Sequence, residues 1–387
     1  MENLDFDVII CGGGPGGSAC AMGFVDTNIR VAVIEKSKFP REKVCGDGMA
    51  PYIPKALNMM SPKFKAAFDD YKNRLPIQNV MLVAYDGNPV TLPFPEPWFI
   101  STRYNFDNFL YEQASSLPNV SFFLEEQVTG VSISDTQATV KTDKNRTFTG
   151  KMVIGCDGAT SVVRRQLTNY QMDPAFHCAA VRAYYTEVDG VSADTLEIHY
   201  IPKYPNGYFW VFPSENGNAN IGFGMLSQDI TNQKLKLRDV LSEIIEITPH
   251  LKPRFTNAKP IGDIKGWSIP MGYGKTPISG DRFVLVGDAA SVADPLTGEG
   301  IGQAIVTGRI AAFHVKDCFA NNNFSASFNK TYDKAIDEKW GKQNRRRRYW
   351  SELIFKNNGL VNILFRMLGA KNIIGKITWN VIMKLAK

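Results

Sequence analysis

Val8-Ile9-Ile10-Cys11-Gly12-Gly13-Gly14-Pro15-Gly16-Gly17 decides the fold of this chain. An apolar run of strand character ends in a glycine-rich turn. A small-residue stretch of helical character follows from Ser18 to Val25, and a second apolar run, Val31-Ala32-Val33-Ile34, ends in Glu35. Strand, turn, helix, strand and acid in that order are the pattern of a dinucleotide-binding βαβ unit. Gly12 permits the tight turn, with Gly16 beside it. Gly14 lets a pyrophosphate approach the backbone, and Gly17 lets helix and strand pack closely. The helix N-terminus offers free N–H groups and a positive dipole end to phosphate. Glu35, eighteen residues past Gly17, is placed to accept from ribose hydroxyls.

The rest of the composition sets the frame for this unit. The 387 residues have room for two or three domains. At 44% hydrophobic and 21% charged, the chain can bury a large core and is not disordered by composition. No apolar stretch approaches the ~20 residues of a membrane span, and the chain enters its first strand without a signal segment. A cytoplasmic protein, peripheral at most to the inner face of a membrane, is expected. The cysteines at 11, 20, 45, 156, 178 and 318 form no C-x-x-C pair, and five of the six are expected to be reduced, mostly buried thiols. The histidines at 177, 199, 250 and 314 lack metal-ligand spacing, so no metal is expected. The net charge of +6 is unevenly placed: residues 330–387 hold 14 Lys and Arg against 4 Asp and Glu, and the remainder 30 against 34. The basic character belongs to the C-terminal region.

Along the chain, residues 50–75 have helical character. Val80–Ala84 and Val90–Leu92 flank Asp86-Gly87 as a hairpin, and a helix is predicted from Arg103 through Ser116. Short strands are predicted at 121–124, 128–133, 137–141 and 152–155. The alternating Tyr, Val, Phe and Trp of 178–225 predict an antiparallel sheet, 235–247 a helix, 283–287 a strand and 300–318 another helix. This is an α/β architecture. A Rossmann-like nucleotide-binding domain made of 1–76, 101–172 and 280–320 is interleaved with a mainly antiparallel substrate domain of 77–100 and 173–279. A helical, basic C-terminal region of 321–387 completes it.

Two further motifs join the first. Asp157-Gly158-Ala159-Thr160-Ser161-Val162-Val163-Arg164 has the form D-G-x-x-S-x-x-R after a strand. Gly287-Asp288-Ala289-Ala290 ends another strand and leads to Asp294-Pro295-Leu296-Thr297-Gly298-Glu299-Gly300-Ile301-Gly302. In this order the three motifs resemble the signature of the flavin-dependent hydroxylase superfamily over about residues 5–318, which implies FAD. Within it, Pro205-Asn206-Gly207-Tyr208-Phe209-Trp210-Val211-Phe212-Pro213 matches P-x-x-Y-x-W-x-F-P and is similar to the geranylgeranyl reductase family. Arg41-Glu42-Lys43-Val44-Cys45-Gly46-Asp47-Gly48 is similar to that family's C-G-[ED]-G segment. Flavin halogenases carry W-x-W-x-I-P on the corresponding strand, and Tyr208 and Phe212 depart from it.

The resemblance implies FAD contacts at Gly17, Glu35, Cys45, Gly46, Gly48, Arg103, Val128, Asp288, Gly300 and Ile301, with Arg41 in the same loop. Asp157 has two readings, direct contact or a buried structural network. Asp288 would bond the ribityl hydroxyls, and the helix near Gly300 would face the N1/O2 edge of the ring, where reduced flavin is anionic. Tyr208, Trp210 and Phe212 share one face of a strand and would either line an apolar cavity or sit in ordinary sheet core; the family motif favours the cavity. Cys45 is the one catalytic candidate, with shaping of the loop as its other role.

The expected activity is saturation of carbon–carbon double bonds in an isoprenoid or similar lipid-like substrate. The electron donor would be NADPH or a small redox protein. Alternatives on the same fold are an aromatic monooxygenase or hydroxylase, a halogenase, and a membrane-associated flavoprotein electron carrier. In the tail, Arg345-Arg346-Arg347-Arg348-Tyr349-Trp350 precedes apolar positions from Leu353 to Ile382. This fits either a basic amphipathic segment on an anionic bilayer through 345–387 or a helical subdomain with a solvated basic face. No stacking module accompanies the arginines, so nucleic acid is not expected.

Overall fold

The computed structural model describes residues 2–274, 276–355 and 357–369. Its centre is a six-stranded sheet in the order Ser279–Gly280, Phe283–Leu285, Met152–Gly155, Val8–Cys11, Val31–Ile34 and Val120–Phe123. All neighbours run parallel except the first pair. Val8–Cys11, Val31–Ile34 and Met152–Gly155 are buried at every position, as parallel strands covered on both faces must be. The helix between the first two strands spans Pro15–Met22 rather than starting at Ser18, because proline suits the first helical turn. Residues 50–75 form two helices, Ile53–Met60 and Pro62–Asp70. The break falls at Ser61, where the following proline disfavours helical backbone.

An eight-stranded sheet lies alongside, ordered Lys259–Pro270, His177–Thr186, Ala219–Leu226, Gly207–Pro213, Thr195–His199, Leu75–Val83, Pro89–Ile100 and Gly48–Met49. The predicted hairpin is its sixth and seventh strands, paired Val83 to Pro89 across Asp86-Gly87. One face of this sheet packs Phe209, Val211, Ile221 and Phe223 against Val240, Leu241, Ile244 and Ile245 of the helix Leu237–Ile247. The other face is left for the cavity described below. A four-stranded sheet pairs Glu2–Asp5, Arg146–Gly150, Ala138–Thr142 and Val128–Ile133. Glu2–Asp5, Arg146–Gly150 and Lys259–Pro270 escape the sequence pattern, as do the two-residue strands Gly48–Met49 and Ser279–Gly280.

The helix Ile301–Ala320 crosses the dinucleotide-type helix, and Ala326–Ile336 packs on it. The helix Asn358–Gly369 docks on the hairpin through Val361, Phe365 and Leu368, which join Val80, Val90 and Leu92 in one cluster. Among the described residues no helix is long and apolar enough to cross a membrane. The tail positions 370–387 lie outside the described residues.

Candidate functional site

Backbone geometry builds the site first. Gly12 has φ +101°, and a Cβ there would lie 2.4 Å from the carbonyl oxygen of Cys156. A Cβ on Gly17 would lie 1.8 Å from the carbonyl oxygen of Gly12. Turn, helix and the Met152–Gly155 strand end therefore meet at distances only glycine allows. A Cβ on Gly14 would meet nothing nearer than the tip of Arg41, at 3.4 Å. The space in front of the helix N-terminus is open.

Charged groups then brace this turn. Glu35 accepts hydrogen bonds from the backbone N–H of Gly13 at 2.8 Å and of Ser37 at 3.0 Å. Arg41 and Arg103 converge on Asp107, which is 0% exposed: Arg103 binds both its oxygens, at 2.6 and 2.8 Å, and Arg41 reaches it at 3.0 Å. Asp157 is engaged within the protein through one oxygen only. Its Oδ2 accepts from the N–H groups of Val162 and Val163 at 2.6 and 3.2 Å, while its buried Oδ1 has no partner. Arg164 is structural. It donates to Ala159 and Asp288 backbone oxygens and to Ser291 Oγ, tying the second motif to the third.

These groups surround one cavity of about 1480 Å³. Every residue expected to contact FAD lines it except Gly17, which sits behind Gly12 as a packing residue. Two carboxylates in it suit a hydroxyl-rich ligand. Asp157 Oδ1 is unpartnered, and the Asp288 carboxylate makes no hydrogen bond among the described residues; burial raises its pKa against the pull of Lys43, Arg103 and Arg164. The 20-residue helix Ile301–Ala320 points its N-terminus into the same space with no side-chain cap at Gly300. Glu299 accepts from Gly302 N–H at 2.7 Å and from Tyr52 Oη at 2.9 Å. A glycine cradle, two helix N-termini and unsatisfied acceptors fit a dinucleotide with a polyol arm.

The cavity continues over the free face of the eight-stranded sheet. Tyr208, Trp210 and Phe212 all line it, while Phe209 and Val211 between them point into the opposite core. Tyr208 Oη donates to Thr297 O at 2.6 Å. Trp210 Nε1 donates to Asn220 Oδ1 at 3.0 Å. Asn220 in turn donates to Cys45 O at 2.9 Å and to Asp47 Oδ2 at 2.8 Å, and Tyr184 Oη donates to the same carboxylate oxygen at 2.5 Å. Asn220 thus joins the aromatic wall to the Cys45–Gly48 loop. Beyond the aromatics the cavity is mostly apolar, with Leu82, Phe94, Trp98, Leu196, Ile198 and Leu364.

Burial raises the Cys45 pKa, and the adjacent Arg103 opposes that rise, so the sulfur is held as a thiol. Burial also pushes Asp47 up to about 6, against Tyr184, Asn220, Arg182 and Arg103. Ionising Asp47 is therefore harder in the folded chain than in the unfolded one. Stability is lost as pH rises from about 4 through about 6, by roughly 3 kcal/mol at most. Asp47→Asn, which tolerates the residue's φ of +65°, is expected to remove this loss. Urea unfolding at pH 4 and pH 7.5 reads it: the variant should gain on the wild type between those values. Parallel pH slopes would show that Asp47 does not titrate there.

Asp47, Asn220 and Tyr184 were missed in the sequence. Asp47 lay inside a recognised motif, whereas nothing local marks Asn220. The basic run of the tail is partly turned inward. Arg347 pairs with the buried Asp294 and lines the cavity. Arg348 donates to Ala175 O at 2.9 Å and lies 3.7 Å over Phe176. Arg345 pairs with Asp337 at 3.0 Å. Among the described residues no group of three or more His, Cys, Asp or Glu could hold a metal ion.

Comparison with known proteins agrees with this geometry. Residues 5–308 match the family described as FAD binding domain. The chain is 28% identical to a digeranylgeranylglycerophospholipid reductase of Methanocella arvoryzae over 87% of this chain and 84% of that one. It is 27% identical to a 1H-pyrrole-2-carbonyl-[peptidyl-carrier protein] chlorinase of Pseudomonas fluorescens, over 87% and 81%. A geranylgeranyl bacteriochlorophyll reductase-like protein of Thermoplasma acidophilum superposes with TM-score 0.85 at 25% identity, covering 99% of this chain and 96% of that one. With its three motifs around one cavity, the chain belongs to the FAD binding domain family of flavin-dependent oxidoreductases, and within it is similar to geranylgeranyl-type reductases.

Proposed function

We propose that the protein saturates carbon–carbon double bonds of an isoprenoid or similar lipid-like substrate. One observation carries this reading: a single cavity runs from the glycine-lined dinucleotide cradle, past Tyr208, Trp210 and Phe212, into an apolar arm. An isolated alkene offers no polar handle, so a shaped apolar wall must supply orientation. Bound FAD would supply hydride chemistry. The chain's own residues do the rest. Gly12, Gly14 and Gly16 admit the pyrophosphate, and Glu35, Arg41 and Arg103 brace the turn beside it. Val128 and Asp157 meet the adenosine end, and Asp288 accepts from the ribityl hydroxyls. Gly300 and Ile301 present N–H groups to the pyrimidine edge. Cys45, Gly46 and Gly48 form the loop over the ring, and Cys45 holds a proton on Sγ at the substrate side.

In this reading the FAD-binding domain is 1–76, 101–172 and 280–320, and the substrate domain 77–100 and 173–279. NADPH or a small redox protein is the electron donor. The exposed Leu360, Ile363 and Met367, three and four residues apart on the helix Asn358–Gly369, support a peripheral contact between the basic C-terminal region and a bilayer that holds the substrate. The second reading, halogenation or hydroxylation, rests on the chlorinase relative; Tyr208 and Phe212 in place of the halogenase strand motif weigh against it.

Dithionite-reduced, FAD-loaded protein under argon separates the two. Reoxidation of the flavin by an isoprenoid alkene, with a product heavier by two hydrogens per bond, is the expected outcome. A requirement for O2 would favour the second reading.

A further inference from the structure

The strand His177–Thr186 carries Arg182 into the cavity wall with only 4% of its surface exposed. Its Nε has no hydrogen-bond partner, and the guanidinium makes no ion pair within 4.0 Å among the described residues. One face of it lies 4.1 Å over the ring of Tyr184. On the neighbouring strand Trp267 pairs with Ala180, and Lys265 with Arg182, so Trp267 sits diagonally beside the guanidinium. The register shifts just after Arg182, a bulge that re-aims side chains at a sheet edge. Trp267 Nε1 is buried and also lacks a partner. Lys43, from the loop above, places its ammonium 3.3 Å over the Trp267 ring and pairs with no carboxylate among the described residues.

The carboxylates nearby are otherwise engaged. Glu42 is paired with Lys265 at 2.7 Å; Asp47 accepts from Tyr184 and Asn220 through Oδ2 alone, and Arg182 attracts both carboxylates without forming an ion pair with either. Asp288, also in the cavity wall, attracts Lys43 without a hydrogen bond to it. Burial, helped by repulsion from Arg103 and Arg41, lowers the Lys43 pKa to about 7, and the attraction of Asp288 does not offset it. Three N–H donors, two of them on cations, thus face one corner of the cavity with no acceptor among them. A buried, unpaired guanidinium is costly unless an anion completes it.

We infer that Arg182, Lys43 and Trp267 form an oxyanion site at the polar corner of the cavity, built to take a phosphate group. A guanidinium matches phosphate in a two-bond fork, and the lysine adds a point charge. Two molecules carry such a group to this corner: a nicotinamide dinucleotide acting as electron donor, and an isoprenoid lipid with a phosphate head. The inference deepens the reductase reading and rests on it for these two sources. Its test uses binding alone and so stands apart from alkene reduction.

FAD-loaded full-length protein is titrated calorimetrically at low salt with NADP⁺, with a C20 isoprenyl phosphate and with the matching alcohol. Arg182→Gln is expected to weaken at least one phosphate probe tenfold or more and to leave the alcohol within twofold. Arg182→Lys should recover part of the loss. Weakening confined to NADP⁺ assigns the corner to the donor; weakening confined to the isoprenyl phosphate assigns it to the lipid head; weakening of both makes it shared. Unchanged affinity for both phosphates overturns the inference, as does a wild type that binds neither, or an equal loss with the alcohol. Should Arg182→Gln fail to retain flavin absorbance, Lys43→Met on the half-buried loop carries the same readouts, with the same outcomes deciding.

Discussion

Gly14→Val is expected to give a protein that folds and is colourless. The added side chain meets only the flexible tip of Arg41, at 3.4 Å from Cβ, and φ at this position is −67°. The fold has no reason to object. The same side chain fills the open space in front of the helix N-terminus, where a pyrophosphate must approach the backbone. Wild type should purify yellow with about one FAD per chain, and the variant should retain less than about a tenth of that, with an unfolding midpoint within a few degrees of wild type. Gly17→Ala is the contrasting case. Its Cβ would lie 1.8 Å from backbone, so the Gly12 turn must move, and cofactor and stability should fall together. Absorbance at the flavin band and thermal melting, read on both variants, check the pair. If Gly14→Val stays yellow, the pyrophosphate does not cross the turn there. A colourless wild type that cannot be reconstituted with FAD would sink the cofactor assignment altogether.

The contrast between Gly14 and Gly17 also marks how far the sequence reaches. The βαβ unit was legible because its signals are local: apolar runs, a glycine turn and an acid, all within about thirty residues. The alternation of Tyr208, Trp210 and Phe212 was legible for the same reason. Its two faces do separate into cavity and core, since Phe209 and Val211 pack under the helix Leu237–Ile247. The strand Lys259–Pro270 was not legible. It is an edge strand exposed over most of its length, with two prolines and two glycines, so nothing drives an apolar period. Glu2–Asp5 is polar and largely exposed for a related reason.

The polar wiring of the site was hidden at longer range. Asn220 joins Trp210 to a loop 173 residues upstream, and Arg182 meets Lys43 and Trp267 only because the sheet and the 41–48 loop fold together. Motifs show which residues approach the cofactor. They do not show which neighbours hold those residues, because hydrogen-bond partners carry no periodic signature.

Trp210→Ala is expected to keep FAD and to lose at least about a hundredfold in the rate of alkene reduction, the order of loss that a misplacement of about 1 Å produces. The indole is 6% exposed, lies between Tyr208 and Phe212 at centroid distances of 6.0 and 6.1 Å, and rests on Gly222, where even a Cβ would come within 2.0 Å of the ring. Removing it widens the cavity beside the loop and leaves Asn220 Oδ1 without its donor. A buried acceptor left unpaired costs about 1–3 kcal/mol, and truncating a buried Trp roughly 3–5 kcal/mol in total. Because one side of the indole faces the cavity rather than packed core, the lower end of that range is expected. Asn220 also holds Cys45 O and Asp47, so the lost bond should loosen the loop and spread the damage to substrate positioning. Trp210→Phe separates the two contributions: it keeps an aromatic wall and gives up the hydrogen bond, and should fall between wild type and Trp210→Ala, nearer wild type in stability than in rate. Single-turnover reoxidation of pre-reduced protein by an alkene under argon, beside urea unfolding, reads both quantities. If Trp210→Ala mainly unfolds while its folded fraction reacts at the normal rate, the indole is sheet core and the substrate wall lies elsewhere.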